Sequence, residues 1–205
     1  MTTERAEFEA EVRQLVSRVL DGVLGDTTPT SSDATSSSTS PSGTDSADAN
    51  RANERVAIGA DHGGFELKQT LIAKLTEAGW TVEDCGTHTT EACDYPEFAH
   101  AVARQVGTGK CTAGIMIDGA GIGSAMTANK VPGVRAAACY DLSTARNSRE
   151  HNRANVLTLG AGLTGAGLAW QITEEWLNTA WGRGRHHRRV ALIDEIEATY
   201  ARSEA

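Results

Sequence analysis

From residue 55 onward, short apolar segments alternate with longer segments of helical periodicity, and this alternation constrains the fold more than any other feature. Five segments have the length of strands, and most are nearly continuous apolar runs: 56–59, 80–84, 113–117, 134–139 and 155–159. Helical spacing predicts helices at 66–78, 97–106, 124–130, 141–150, 166–180 and 188–202. Apolar strands that alternate with helices indicate a parallel sheet covered on both faces. The sequence therefore predicts a three-layer α/β sandwich with a five-stranded parallel sheet.

Composition divides the chain into three parts. Residues 1–25 carry apolar side chains three and four positions apart, with acidic residues between them, which predicts an amphipathic helix. Residues 26–53 are rich in Ser and Thr, with 14 of them in the 22 positions 27–48, which predicts a disordered linker because too little apolar surface is available for burial. We therefore expect a single α/β domain at 54–205, joined to the helix by a tether.

The net charge and the cysteine content indicate which kinds of partner and which cellular location to expect. The formal net charge of -8 disfavours binding to nucleic acid or to an anionic membrane surface. No apolar run approaches the roughly 18 residues of a spanning helix, and the acidic N-terminus lacks the features of a signal peptide. The four cysteines include no closely spaced pair, which is typical of reduced thiols. We expect a cytoplasmic protein.

Ligands of parallel sheets bind at the carboxyl ends of the strands, so the loops that follow the strands are the candidate site. They begin at Gly59, Cys85, Asp118, Tyr140 and Gly160. The first loop places Asp61 and His62 among glycines, which suits a polar ligand. The same residues also suit a glycine-rich turn with a capping Asp and a solvated His, and the spacing does not separate the two interpretations.

The loop after the third strand runs from Asp118 to Ser124 and contains three glycines. Glycines at the start of a helix expose backbone N–H groups, which favours an oxyanion or phosphate site. Ser124 stands where a dinucleotide-binding fingerprint requires a third glycine, so a nicotinamide-dependent oxidoreductase is disfavoured. Asp118 is either a base or the cap of the following helix, and its position alone favours the cap.

Two further clusters are basic or contain histidine. His151 and Asn152 lie near the end of the fourth helix, where a single His is more often structural than catalytic. Residues 182–189 form a short basic cluster that includes Arg185 and Arg189. Its small extent in an acidic chain favours a phosphate clamp over a nucleic-acid surface, and a solvated helix start stays open.

Several motifs occur together in the order of one known family. They are Asp61-His62-Gly63-Gly64-Phe65, Leu67-Lys68, Asp94-Tyr95-Pro96, Gly121-Ile122-Gly123, Ala128-Asn129-Lys130, Gly133-x-Arg135-Ala136, His151-Asn152-x-x-Asn155-Val156-Leu157 and Gly184-Arg185-His186-x-x-Arg189-Val190. Together they resemble the family of ribose-5-phosphate isomerase B and the galactose-6-phosphate isomerase subunits, across essentially all of 55–200. The resemblance implies a Rossmann-like fold and an aldose–ketose isomerase of a phosphorylated pentose.

In that family, homodimers bind the sugar phosphate between subunits and use no metal or organic cofactor, so the resemblance implies a dimer or tetramer with a shared site. By resemblance, His62, Arg185 and Arg189 hold the phosphate, and the two arginines come from the neighbouring subunit. His151 assists opening of the sugar ring.

The resemblance also assigns the rest of the site. Asp61, Tyr95 and Asn152 contact sugar hydroxyls, and the backbone N–H groups of residues 119–123 hold the enediolate, a role that suits oriented amides. The expected catalytic residues are Asp118, His151 and Asp61. The expected substrate-binding residues are His62, Tyr95, Gly119, Gly121, Ile122, Gly123, Ser124, Asn152, Arg185 and Arg189.

The sequence departs from the family pattern at the third strand. The usual base is a cysteine where this chain has Asp118, and the Glu that one branch uses instead is absent, because Ser124 and Ala125 follow Gly123. An arginine common after the fifth strand is replaced by Gly162. Two interpretations follow. Either Asp118 is the base of a working isomerase, activated by burial beside an apolar strand, or the protein binds sugar phosphates without this reaction or acts on another sugar phosphate.

Members of the family normally begin at the first strand, so the resemblance makes residues 1–53 an extension. An amphipathic helix on a Ser/Thr-rich tether resembles the encapsulation peptides that carry enzymes into bacterial microcompartments, where the helix binds a groove of a shell protein. A helix that docks on its own domain or forms a coiled coil within the oligomer is the alternative.

Overall fold

The computed structural model describes residues 54–182 and 184–201. The predicted helix at 1–25 and the predicted linker at 26–53 lie outside the described residues. All five predicted strands are present: β1 Arg55–Ala60, β2 Thr81–Asp84, β3 Ala113–Asp118, β4 Ala136–Ala138 and β5 Val156–Gly160. The helices are α1 Phe65–Glu77, α2 Tyr95–Gly107, α3 Ile122–Ala128, α4 Leu142–Asn152, α5 Ala166–Asn178 and α6 Arg185–Ala201. In this part of the chain, no helix combines the length and apolarity needed to cross a bilayer.

The strands form one sheet in the order β2-β1-β3-β5-β4, and every pairing is parallel. The predicted five-stranded parallel sheet is therefore confirmed. The chain runs from β1 outward to β2, then crosses to β3 on the other side of β1. The connections that leave β1 and β3 consequently diverge, and a crevice opens between their first loops, where ligands of such sheets bind.

Side chains of the sheet alternate between two apolar clusters. Ile115 and Ile117 of β3 pack with α1, α4 and α5 on one face, whereas Met116 packs with α2 and α3 on the other. Trp176 of α5 is fully buried in the first cluster. Burial of each such side chain contributes about 1.5–3 kcal/mol, so the two clusters together fix the positions of the strand ends that carry the site.

Lys68 is the main polar exception in this core. It is fully buried in α1, and its Nζ donates to Asp84 Oδ1 at 2.5 Å and to the Thr87 carbonyl oxygen at 2.8 Å. The Lys68 side chain therefore ties α1 to the end of β2 and to the loop beyond it. The sequence contained a signal for this burial, because Lys68 falls three and seven positions before Leu71 and Leu75 on the apolar stripe of α1.

Most element boundaries differ from the prediction by one to three residues, and three of these differences bear on the site. Helix α3 begins two residues earlier, after Gly121 with its positive φ of 80°. Strand β4 is shorter than 134–139, because the N–H group of Arg135 donates to the Asn155 side chain instead of to a neighbouring strand. Helix α6 begins at Arg185, so Arg185 and Arg189 lie one turn apart on the same face of the helix.

Candidate active site

The turn after β1 rests directly on the end of β3. The N–H group of Asp61 donates to the Ile117 carbonyl oxygen at 3.1 Å, and the N–H group of Gly64 donates to Asp61 Oδ1 at 2.9 Å. A Cβ on Gly64 would lie 2.5 Å from the Ile117 carbonyl oxygen, so only glycine permits this approach. Asp61 is 8% exposed. The turn thus fixes the Asp61 carboxylate beside the tip of β3.

The carboxylate of Asp118 organises the loop after β3. Its Oδ1 accepts the N–H groups of Ala120, at 2.8 Å, and of Gly121. Its Oδ2 accepts the N–H group of Ser124 at 3.2 Å and the Ser124 hydroxyl at 2.5 Å. Four donors thus surround a residue that is 4% exposed. These hydrogen bonds correspond to the capping role that the position of Asp118 favours. A base role for Asp118 stays a prediction, and it requires one of these hydrogen bonds to break.

The hydrogen bonds to Asp118 divide the glycine loop into two groups of backbone donors. The N–H groups of Ala120 and Gly121 are already used. Within the described residues, the N–H groups of Gly119, Ile122 and Gly123 donate to no acceptor. Of the amides expected to hold an enediolate, these three remain available. Ser124 is fully buried and bonded to Asp118, so its side chain does not fit the predicted contact with substrate.

His62 and Tyr95 complete this edge of the sheet. The ring of Tyr95 lies against Gly123, because a Cβ there would be 2.6 Å from the Tyr95 hydroxyl oxygen. His62 Nδ1 lies 3.2 Å from the backbone nitrogen of Cys93, which leaves Nε2 of the exposed ring free for a ligand. The Tyr140 hydroxyl donates to the Ala120 carbonyl oxygen at 3.1 Å, a support for the loop that the sequence reasoning missed.

The remaining predicted site residues surround the end of α4. The ring of His151 stacks on that of His186, with 4.2 Å between centroids and an interplanar angle of 7°. His151 Nδ1 lies 2.8 Å from the Asn147 amide nitrogen, and Asn152 is exposed beside it. Burial, followed by the nearby positive charge of His151, Arg185 and Arg189, lowers the pKa of His186 below its usual value. His186 is therefore neutral at pH 7.

The structure does not bring these two groups together within one chain. The carboxyl-edge group comprises Asp61, His62, Tyr95 and the Asp118 loop, which follow the ends of β1, β2 and β3. The amino-edge group comprises His151, Asn152, Arg185 and Arg189. It lies where α4 has run back along the sheet, and the N–H group of Gly182 donates to the Glu150 carbonyl oxygen there. A five-residue strand spans about 16 Å, so one pentose phosphate cannot contact both groups of the same chain.

Comparison with known proteins shows to which family the chain belongs. The family model described as Ribose/Galactose Isomerase matches residues 56–193. The chain belongs to this family. It is 42% identical over 144 residues to ribose-5-phosphate isomerase B of Escherichia coli (strain K12), a match that covers 70% of this chain and 97% of the relative.

Solved structures of the family agree with the fold. Ribose-5-phosphate isomerase B of Clostridium thermocellum is 47% identical with a TM-score of 0.70, over 71% of this chain and 99% of that one. The Mycoplasma genitalium enzyme, solved with bound ribulose 5-phosphate, is 35% identical with a TM-score of 0.69, over 71% and 97% of the two chains.

The resemblance to the ribose/galactose isomerase family leads to the expectation of a cysteine base, and the two cysteines that directly follow strands do not replace it. Burial raises the pKa of Cys85, which follows β2, to about 11, and burial also raises the pKa of Cys139, which follows β4. Both stay protonated thiols at neutral pH. The described residues also contain no cluster of His, Cys, Asp or Glu suited to a metal ion.

Proposed function

We propose that this chain is an aldose–ketose isomerase that interconverts ribose 5-phosphate and ribulose 5-phosphate by proton transfer through an enediolate. The observation that carries the proposal is the loop after β3, where three free N–H groups follow a carboxylate-stabilised turn beside a second carboxylate, Asp61. Oriented amides stabilise negative charge that appears only during reaction. The ribose-5-phosphate isomerase B relatives support the choice of substrate.

The remaining residues supply binding. In this proposal, His62 meets the phosphate through its free Nε2, and Arg185 and Arg189 present two guanidinium groups from one face of α6. Tyr95 and Asn152 contact sugar hydroxyls, and His151 donates or accepts the proton that opens the ring.

We further propose that the active site forms between two copies of the chain. The carboxyl-edge and amino-edge groups lie at opposite edges of the sheet, so both contact one ligand only if each chain contributes one of them. A homodimer, or a tetramer built from two dimers, satisfies this requirement with two equivalent sites.

A sugar-phosphate-binding protein without isomerase activity is the second candidate. Its specific support is the Asp118 carboxylate, whose acceptor positions are all filled by its own loop. Gly162, which stands where an arginine is common in the family, further favours a sugar phosphate other than ribose 5-phosphate as the ligand of such a protein.

Solvent deuterium incorporation separates the two candidates. Purified full-length protein is incubated with ribose 5-phosphate or ribulose 5-phosphate in deuterated buffer, and the carbon-bound protons are followed by NMR. Exchange at carbon 2 of the aldose together with interconversion supports the isomerase. Binding of the sugar phosphate without exchange supports the binding protein, and other phosphorylated aldoses are then tested in the same way.

We also propose that residues 4–24 bind a microcompartment shell protein and that the enzyme works in the cytoplasm or in the compartment lumen. This proposal rests on the apolar stripe of the sequence. Full-length protein is expected to co-sediment with assembled shells, and a variant with Leu15, Val16 and Val19 changed to Glu is expected not to. Equal recovery of both would contradict it.

A further inference from the structure

We propose that Asp61, rather than Asp118, is the base that moves the proton between carbons 2 and 1, an inference that rests on the proposed isomerase function. A base must offer a free lone pair to the C–H proton. Each oxygen of a carboxylate has two in-plane acceptor positions. At Asp118 each oxygen already accepts two hydrogen bonds from the loop, so none of the four positions is free.

Asp61 differs from Asp118 in this respect. Its Oδ1 accepts the N–H group of Gly64 at 2.9 Å, which fixes the side chain. Within the described residues its Oδ2 accepts no hydrogen bond, and this oxygen is not among the buried atoms that lack a partner. It therefore faces accessible space. Because the residue as a whole is only 8% exposed, a bound sugar would leave this oxygen with little water around it.

The register of the sheet places Asp61 next to the amide donors. Ala60 pairs with Ile117, and the N–H group of Asp61 continues the ladder by donating to the Ile117 carbonyl oxygen. Asp61 therefore lies beside Asp118 on the adjacent strand, at a spacing of about 4.8 Å. The free N–H groups of Gly119, Ile122 and Gly123 follow immediately. A carbon bound in the crevice thus meets a basic oxygen from β1 and oxyanion donors from the β3 loop.

The proton transfer needs no oxidant and no further reactant. Asp61 Oδ2 takes the proton from carbon 2 of the open-chain aldose, and the released electron pair forms the double bond between carbons 1 and 2. The electrons of the carbonyl bond move to oxygen 1, which the free N–H groups stabilise. A proton then passes from oxygen 2 to oxygen 1. Carbon 1 takes back the proton held by Asp61, and the carbonyl group re-forms at carbon 2.

In this assignment Asp118 is a positioning residue. By holding the N–H groups of Ala120, Gly121 and Ser124, its carboxylate fixes the curvature of the loop. In the part of the chain that the structure describes, the other three N–H groups of the loop are free of internal acceptors. Asp118 thus acts on the reaction through the shape of the oxyanion loop.

Asp61→Asn tests the assignment, because the Asn carbonyl oxygen keeps the hydrogen bond from Gly64 while Oδ2 becomes an amide nitrogen. Exchange at carbon 2 of ribose 5-phosphate in deuterated buffer is expected to fall by about 10²–10⁴-fold, the usual effect of losing a general base. Binding of ribose 5-phosphate, measured by calorimetry, is expected to weaken by less than about tenfold. In Asp61→Ala, added formate is expected to restore part of the exchange.

Asp118→Asn is the comparison, and Glu91→Gln, in the exposed loop between β2 and α2, is the matched control. Asp118→Asn is expected to slow exchange by about tenfold and to lower the melting temperature, because an amide nitrogen then faces the N–H group of Ser124. Glu91→Gln is expected to behave like the wild type.

The outcomes separate the two proposals. If Asp61→Asn exchanged the carbon 2 proton as fast as the wild-type protein does, the proposed role of Asp61 would be overturned. The same would follow if Asp118→Asn lost as much exchange as Asp61→Asn while its melting temperature stayed unchanged. A wild-type protein that shows no exchange with either pentose phosphate would instead overturn the proposed function, and the assignment of Asp61 with it.

Discussion

Mixing two impaired variants tests whether each active site takes residues from two chains. Asp61→Asn removes a residue of the carboxyl-edge group, and Arg189→Ala removes one of the amino-edge group. In one chain, α4 and the strands separate these groups by about 16 Å, the length of a five-residue strand. A site between two chains therefore combines Asp61 of one chain with Arg189 of the other, and a hybrid dimer contains one site with both defects and one intact site.

The expected magnitude follows from counting these sites. A hybrid isolated through two different affinity tags has half of its sites intact, so its turnover is expected to reach about half that of the wild-type dimer. Asp61→Asn alone is expected to stay below about 1% of wild-type turnover, because losing a general base removes at least about a hundredfold. Arg189→Ala alone is expected to lower kcat/KM by roughly 10–100-fold, because it removes a charge-assisted hydrogen bond to the phosphate. The assay is conversion of ribose 5-phosphate to ribulose 5-phosphate, with subunit exchange promoted by mild denaturant and verified by mass.

A hybrid no more active than its parents would refute the two-chain site, because every site would then carry one of the two substitutions. A second hybrid serves as the control. It pairs a wild-type chain with a chain that carries both substitutions, so each of its two sites contains one defect. It is expected to be largely inactive if the site is shared and half active if each chain has its own site, the reverse of the first hybrid.

Three further predictions follow from other contacts. His186→Phe is expected to reduce the loss of stability as the pH falls through the ordinary histidine value of about 6.5. The lowered pKa of buried His186 makes the unfolded chain bind more protons there, and melting temperatures across that range measure the effect. Gly123→Ala is expected to displace Tyr95 and, through the sugar contact proposed for Tyr95, to raise KM by up to about tenfold. Lys68→Met is expected to cost about 1–3 kcal/mol, measured by urea unfolding, because it leaves the buried Thr87 carbonyl oxygen without its donor.

Each of the three has a matched control. Arg188→Gln alters an exposed charge in the same helix as His186 and is expected to keep the wild-type pH dependence of stability. Gly167→Ala adds the same methyl group where nothing lies within 4 Å, so KM is expected to stay unchanged. Lys110→Met removes an exposed ammonium group and is expected to change stability by less than about 0.5 kcal/mol. A control that changes as much as its partner would contradict the corresponding contact.

The arrangement of the sheet could be predicted because it depends on local patterns. Strands such as Ala113–Asp118 are buried along their whole length, and the spacing of Leu71 and Leu75 marks a helix against them. Parallel pairing then places every strand–helix loop at one edge, so Asp61 and Asp118 could be expected at the same edge, whereas their position on adjacent strands comes from the structure. The boundary of α6 was harder to predict, because the residues of its first turn are mostly polar and carry little periodicity.

The interactions inside the loops could not be predicted, because they depend on the directions of backbone N–H groups. The sequence places an acid at 118 but does not show how many amides turn toward it. Likewise, His151 and His186 are 35 positions apart, and their stacking depends on where the α5–α6 connection meets the end of α4. The family resemblance predicted which residues belong to the site. Only the folded structure shows that they separate into the carboxyl-edge group and the amino-edge group.

The substitution of the expected cysteine by Asp118 changes what the tip of β3 can do. A thiol is a weak hydrogen-bond acceptor, so a cysteine there leaves its sulfur free for chemistry. A carboxylate accepts up to four hydrogen bonds, and three backbone amides of the loop together with the Ser124 hydroxyl satisfy all of them. The residue that replaces the base thus becomes bound to its own loop. Among the described residues, the neighbouring carboxylate of Asp61 has one oxygen without an internal partner, and for this reason we place the base of an isomerase of this sequence at the end of β1.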